Sequence, residues 1–165
     1  MSYDTYKYNS SIVAMYIVAN ANKRRLVINM TKLQKLLYIM YGTYLVVTGE
    51  RLTNEHPQAW PYGPVFPSAR NYLLKMDLYQ ITEKDPSLEE ISRDFEMKSL
   101  VNIVLDTYGN RNASTLSEWS HQPGSPWDRT VNHPYFHWGD TIPDSYINDY
   151  FNSIIVRRHG AKEPV

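Results

Sequence analysis

The sequence predicts a mainly α-helical fold, a compact domain arranged around one central helix, with room for a small β-hairpin. Between residues 30 and 49, apolar side chains recur every three or four positions, which places them on one face of a helix. Similar spacing returns in several shorter segments. The 165 residues fit a single domain spanning residues 1–165, and a chain of this size can bury a core without disulfides.

The central helix is predicted from its apolar stripe and from the residues that flank it. Asn29 or Thr31 can cap its start, and Gly49 suits the left-handed conformation in which many helices end. Gly42 lies inside the helix, where glycine costs roughly 1 kcal/mol relative to alanine, so another element is expected to approach closely there. The stripe consists of Leu33, Leu36, Leu37, Met40, Tyr41, Tyr44 and Leu45.

Two loops that combine proline with aromatic residues are expected after this helix. Residues 60–67 carry three aromatic residues, three prolines and a glycine, and residues 123–127 form a second loop that ends at Trp127. Proline and glycine at this density stop a helix and fix the backbone direction. Such loops hold aromatic side chains for binding at little entropic cost. They could equally pack on the central helix and complete the core, and the sequence leaves both interpretations open.

The remaining elements follow from the same signals in chain order. Helices are predicted at residues 11–23, 68–76, 96–108, 113–120 and 143–156, with Pro143 at the first position of the last one. Residues 78–82 alternate in polarity and are interpreted as a short strand that could pair with residues 58–60. Residues 87–95 are either a short helix or a solvated linker, and residues 131–140 are an ordered loop.

Composition excludes several classes of function. The chain has no cysteine, which excludes disulfides, thiolate metal sites and cysteine catalysis and fits the cytoplasm. The N-terminus lacks a signal-peptide pattern, and no apolar segment approaches the ~20 residues that cross a bilayer, so no membrane association is expected.

Charge gives a further restriction. Lys and Arg total 17, as do Asp and Glu, which argues against strong nucleic-acid binding but leaves room for a local patch. The short run Lys23-Arg24-Arg25 is interpreted mainly as favourable charge at a helix C-terminus. Without self-repulsion the chain can associate with a partner or with a second copy as a homodimer.

Motifs for catalysis or cofactor binding are missing, and no cofactor is expected. His133 and His137 are four residues apart, but Pro134 and Gly139 favour a loop, and further metal ligands are not defined. His121 has serines nearby but no nucleophile elbow, so it more plausibly caps a helix or bonds a buried backbone group. A metal-dependent enzyme that uses His121, His133 and His137 remains as an alternative.

Five segments resemble a known family. They are K-L-Q-K-L-L-Y at residues 32–38, T-G-E at 48–50, A-W-P-Y-G-P-V at 59–65, L-S-E-W-S-H at 116–121 followed by P-W at 126–127, and I-P-D-S-Y-I-N-D-Y-F at 142–151. Together they resemble the signature of the Panacea domain, the SocA-like antitoxin family of toxin–antitoxin pairs. The resemblance extends from about residue 12 to residue 151, and the joint match of the blocks before residue 128 is its most specific part.

The resemblance implies a largely helical domain that binds and neutralises a cognate toxin without catalysis. In some members it implies delivery of the toxin to a host protease, with the antitoxin as adaptor. A phage or mobile-element protein that uses this fold to bind a host factor is an alternative. The candidate partner-binding residues are Lys32, Lys35, Trp60, Tyr62, Pro64, His121 and Trp127.

Overall fold

The elements of the fold alternate long helices with short strands. The structure, a computed structural model, describes residues 5–162, with side chains described for residues 5–155. Its helices are α1 (Ser10–Lys23), α2 (Met30–Thr48), α3 (Pro67–Leu73), α4 (Glu89–Ser92), α5 (Phe95–Tyr108), α6 (Ala113–Ser120), α7 (Pro126–Val131) and α8 (Asp144–Lys162). Its strands are β1 (Tyr6–Tyr8), β2 (Arg51–Thr53), β3 (Gln58–Trp60) and β4 (Gly63–Val65), and short 3-10 turns lie at Leu78–Gln80 and Pro86–Leu88. This confirms the predicted mainly α fold with a small hairpin.

Helix α2 is the centre of the domain, as predicted. It packs against α1, α5, α6 and α8 and also contacts β2 and β4. The Asn29 side chain accepts a hydrogen bond from the backbone of Lys32, and Gly49 ends the helix with φ 74°. Gly42 is in contact with α8, because a Cβ added there would overlap the ring of Phe151. The interior glycine therefore permits the close approach that the sequence predicts.

The core around α2 contains a group of packed aromatic rings. Tyr38 lies 5.3 Å from Phe151 and 6.0 Å from Trp119, measured between ring centroids. Tyr150 and Tyr108 also pack against Trp119. These contacts join α2, α5, α6 and α8, so a substantial share of the aromatic residues completes the interior rather than the surface.

Both two-stranded sheets are small, and the pairing of one differs from the sequence prediction. β1 pairs in parallel with β2, while β3 and β4 form an antiparallel hairpin in which Trp60 is opposite Gly63. The predicted strand at residues 78–82 is wrong, because Leu78–Gln80 is a 3-10 turn whose backbone is capped by the side chain of Asp77. The two-residue turn of Pro61 and Tyr62 lets residues 58–60 pair locally instead.

A third segment extends the hairpin. Thr141 forms a bridge with Gln58, the backbone N–H of Ala59 donates to the carbonyl of Asp140 at 2.9 Å, and that of Gly139 donates to the carbonyl of Ala59 at 2.9 Å. Residues 139–142 therefore continue the hairpin on its β3 side. This pairing attaches the preceding loop to the hairpin as one body.

The remaining helices agree with the sequence prediction apart from three differences, the first being that α3 ends at Leu73 and not at the predicted residue 76. The loop predicted at residues 123–127 is only partly a loop, because helix α7 begins at Pro126 and includes Trp127. Ser125 caps this helix by accepting from the backbone of Asp128, and Pro126 at its first position lacks an N–H that would need a partner. Helix α8 continues to Lys162, beyond the predicted end at residue 156, and residues 163–165 lie outside the described residues.

Candidate functional site

The hairpin of β3 and β4 is attached to the central helix by two interior side chains. The ammonium of Lys35 donates to the carbonyl of Pro64 at 3.2 Å, and the amide oxygen of Gln34 accepts from the backbone N–H of Phe66 at 2.7 Å. Lys35 is 1% exposed and Gln34 is 2% exposed. Both bonds fix the backbone of β4 and of the residue that follows it.

Lys35 is a cation in the interior. Burial lowers its pKa from the usual 10.5 to about 8, since the charged form loses its hydration. Lys35 and Ser120 both lie against the turn at Gly63. A Cβ added to Gly63 would be 2.7 Å from the Cε of Lys35 and 2.6 Å from the hydroxyl oxygen of Ser120. Gly63 has φ 114°, a conformation that favours glycine. The turn can therefore sit directly on α2 and α6 only with glycine at this position.

Helices α6 and α7 hold the turn from its other side. The hydroxyl of Ser117 donates to the carbonyl of Tyr62 at 3.0 Å, and the indole N–H of Trp127 donates to the carbonyl of Trp60 at 2.8 Å. The carbonyls of residues 60, 62 and 64 are thus each bonded by a different element. This network makes the hairpin rigid.

His121 supports this arrangement from the end of α6. It is the C-cap residue of α6, as the sequence suggests, and its ring lies 4.0 Å from that of Trp127. Burial lowers the pKa of His121, the charge of Lys35 lowers it further, and a hydrogen bond with the backbone of Pro61 acts in the opposite direction. The neutral imidazole is therefore favoured near neutral pH, and its environment is that of a packing group.

The structure places six of the seven predicted partner-binding residues at the hairpin and the seventh elsewhere. Tyr62 is 68% exposed, and Trp60 and Trp127 are half-buried at the hairpin. Lys35 and Pro64 are buried beneath it, and His121 is half-buried beside Trp127. These six residues lie together at the hairpin. Lys32 does not join them, because its ammonium bonds the carbonyl of Gly109 at the end of α5.

A second group of aromatic residues lies at the hairpin and was not predicted from the sequence as part of the site. Trp138 is 56% exposed, and its ring lies 6.2 Å from Trp127 and 4.9 Å from Phe136. The signal was present as P-Y-F-H-W at residues 134–138, but nothing in the sequence placed this loop beside the hairpin. We use the name aromatic face for Trp60, Tyr62, Trp127, Phe136 and Trp138.

The histidines of the alternative enzyme hypothesis lie in different surroundings. The ring of His133 is 6.1 Å from that of Tyr135, whereas His121 packs on Trp127. Within the described part of the chain, no three His, Cys, Asp or Glu side chains form a group that could hold a metal ion. Among the described helices, none has both the length and the apolar character needed to cross a membrane.

Fold and site together define a small helical domain that holds a rigid aromatic hairpin on its central helix. A family model described as antitoxin SocA-like, Panacea domain, matches residues 33–128. The chain belongs to this family, which confirms the resemblance seen in the sequence. It is also similar to the protein named Antitoxin SocA from Caulobacter vibrioides, with 32% identity over 168 residues that cover 92% of this chain and 86% of that protein. No solved structure was found to match the chain. The family supports an antitoxin role.

Proposed function

We propose that this protein neutralises a cognate toxin by binding it directly, with the aromatic face as the contact surface. Family membership supports the antitoxin role, and the observation that carries the choice of surface is the exposed tip of the rigid hairpin. Tyr62 is 68% exposed there, although the carbonyl of the same residue is held by Ser117. Tyrosine and tryptophan are enriched among the residues that dominate binding energy in protein interfaces.

Rigidity is what makes this surface suitable for binding. Ordering a loop or a large side chain on binding costs free energy, and a surface that is already ordered avoids much of that cost. Here the hairpin backbone is bonded to α2, α6 and α7 before any partner arrives. The guanidinium of Arg70 also lies 5.4 Å from the ring centroid of Trp60, which favours one orientation of that ring.

The predicted site residues receive different roles in this proposal. Trp60, Tyr62 and Trp127 contact the toxin, since their side chains reach the surface. Lys35 and Pro64 position the hairpin from below and do not touch the partner. His121 supports the ring of Trp127, and Lys32 acts elsewhere in the molecule.

Co-expression with the product of the neighbouring gene tests the proposal. We expect the two proteins to copurify and the protein to suppress that product's toxicity. Tyr62→Ala should weaken binding by at least about 2 kcal/mol, while the thermal melt stays unchanged because the side chain is exposed. Tyr79→Ala is the matched control, since Tyr79 is also 68% exposed but lies in the 3-10 turn Leu78–Gln80.

Two results would contradict this proposal. If the neighbouring product is harmless alone and forms no complex, the antitoxin role by direct binding fails. If Tyr62→Ala and Tyr79→Ala bind equally well, the aromatic face is not the contact surface.

The proposal extends to a role as adaptor for a host protease. In that case the protein shortens the lifetime of the toxin as well as binding it. Pulse-chase measurement of toxin half-life, with and without the protein and in a strain that lacks the protease, tests this extension. An unchanged half-life limits the function to neutralisation by binding.

A further inference from the structure

A cavity of about 390 Å³ lies where the start of α2, the end of α5 and the start of α6 meet. The charged residues in its lining are Arg25, Lys32 and Arg111, and its other lining residues are uncharged. We call it the basic cavity. Its lining therefore has positive charge only, although the chain as a whole has equal numbers of basic and acidic residues.

Lys32 brings a nearly buried ammonium to this cavity. The residue is 7% exposed, and its Nζ donates to the carbonyl of Gly109 at 2.6 Å and lies 3.5 Å from the carbonyl of Val27. Both of those residues line the cavity. An ammonium has three donors, so one is left for a ligand. Burial lowers the pKa of Lys32, and among the described residues no carboxylate offsets its charge.

Arg25 is the member of the basic run at residues 23–25 that remains available. Lys23 pairs with Glu83 and Arg24 pairs with Asp106, so both are neutralised within the protein. Among the described residues no carboxylate pairs with Arg25, which is exposed and lines the cavity. Arg25 lies in the turn that follows the end of α1, with a backbone φ of 59°.

Arg111 lines the same space from the other side. Its guanidinium lies 4.9 Å from the ring centroid of Tyr108, which lines a neighbouring cavity together with Arg111, so Arg111 stands at the boundary between the two cavities. Asn29 and Asn112, the capping residues of α2 and α6, also line the cavity. The partial positive charge of two helix starts therefore adds to that of the three side chains.

We propose that the basic cavity binds a phosphate-bearing small ligand of about nucleotide size. Guanidinium groups bind phosphate oxygens through paired charge-assisted hydrogen bonds, and the volume lies within the range of small-molecule sites. Three cations suit one or two phosphate groups, whereas a nucleic acid needs a longer basic surface. Leu26 and Val27 provide an apolar wall for the remainder of the ligand. The site is distinct from the aromatic face, since α6 begins at the cavity and ends at the hairpin.

Titration of the full chain with inorganic phosphate and with AMP, in a chloride buffer of constant ionic strength, tests the proposal. Calorimetry gives the affinity, and amide shifts of Asn29 and Asn112 in NMR spectra give the location. We expect saturable binding, weakened about tenfold by Arg25→Gln and by Arg111→Gln. Arg93→Gln is the matched control, because Arg93 is exposed and pairs with Glu89 away from the cavity.

Each result of the titrations either supports or contradicts the proposed phosphate site. Tighter binding of AMP than of inorganic phosphate supports a phosphate ester of about nucleotide size, whereas equal binding contradicts that size and assigns the site to the phosphate group alone. Absence of saturable binding overturns the proposal. So does an equal loss of affinity in the Arg93→Gln control, or displacement of phosphate by polyglutamate at equal charge, which would assign the cavity to acidic peptides. Binding of the toxin is measured separately and does not affect these results.

Discussion

Replacement of Lys35 by methionine should change how the stability of the protein depends on pH. Lys35 is 1% exposed, and burial lowers its pKa from 10.5 to about 8. Because its pKa is lower in the folded state, the unfolded chain binds more protons between these pH values, and this residue makes stability rise with pH across the window. At about 1.4 kcal/mol per pKa unit, the rise amounts to about 3 kcal/mol.

The sign of the effect of Lys35→Met should therefore reverse with pH. Below pH 8 the native protein carries the full cost of burying the charge, and methionine removes that cost. Methionine also leaves the carbonyl of Pro64 without its donor, which costs about 1–3 kcal/mol. At neutral pH the variant should thus be equal to the wild type or more stable by up to about 2 kcal/mol. At pH 10.5 it should be less stable, since neutral lysine still donates to Pro64.

Urea unfolding followed by tryptophan fluorescence at a series of pH values measures this difference. The exposed residue Lys75 provides the control variant, Lys75→Met, which should keep the pH dependence of the wild type. Other groups that titrate in the same range contribute equally to all three proteins and cancel in the comparison. If the stability of Lys35→Met rises between pH 8 and 10.5 as steeply as that of the wild type, the account of Lys35 as a buried cation is wrong.

Three further substitutions test the close contacts of the fold. Gly42→Ala should lower stability by about 1–3 kcal/mol, because the added Cβ overlaps the ring of Phe151, and Phe151→Leu in the same chain should recover part of the loss in thermal melts. Gly63→Ala should lower the melting temperature and weaken toxin binding, since φ 114° and the contact with α2 both exclude a side chain; a variant with wild-type affinity would contradict the role of the turn. Trp127→Phe keeps a ring but removes the donor to the carbonyl of Trp60, and chemical unfolding should show a loss of about 1 kcal/mol.

Elements in which all the local signals agree were predictable from the sequence. The stripe, the cap at Asn29 and the stop at Gly49 together predict α2, and the observed helix has these bounds. Helix α6 likewise coincides with the predicted residues 113–120, because Asn112 supplies its cap. In these segments periodicity and capping point to the same structure, and tertiary contacts do not override them.

Elements defined by contacts distant in sequence were not predictable. Alternating polarity at residues 78–82 suggested a strand, but alternation over five residues cannot specify a pairing partner. Helix α7 was missed although its signal is local: Ser125 as cap, Pro126 at the first position and an acidic residue three positions after the cap. The density of proline and aromatic residues led to its interpretation as a loop.

The pairing of residues 139–142 with β3 brings Trp138 to the aromatic face. It was not predictable, because it depends on a contact across eighty residues of chain.

The burial of the signature residues bears on how a partner is selected. Lys35 and Gln34, in the first block that resembles the family, are in the interior and hold the hairpin backbone. Ser117 and Trp127, in the second block, bond the same backbone from the opposite side. The residues that carry the family resemblance therefore hold the hairpin in place and do not determine which partner surface the hairpin contacts. Selection of a particular toxin should depend instead on exposed side chains that these bonds leave free to differ, and Tyr62 is the most prominent of them within the signature. Substitutions there should alter affinity for the toxin without altering the fold, whereas substitutions at Lys35 should act on the fold first.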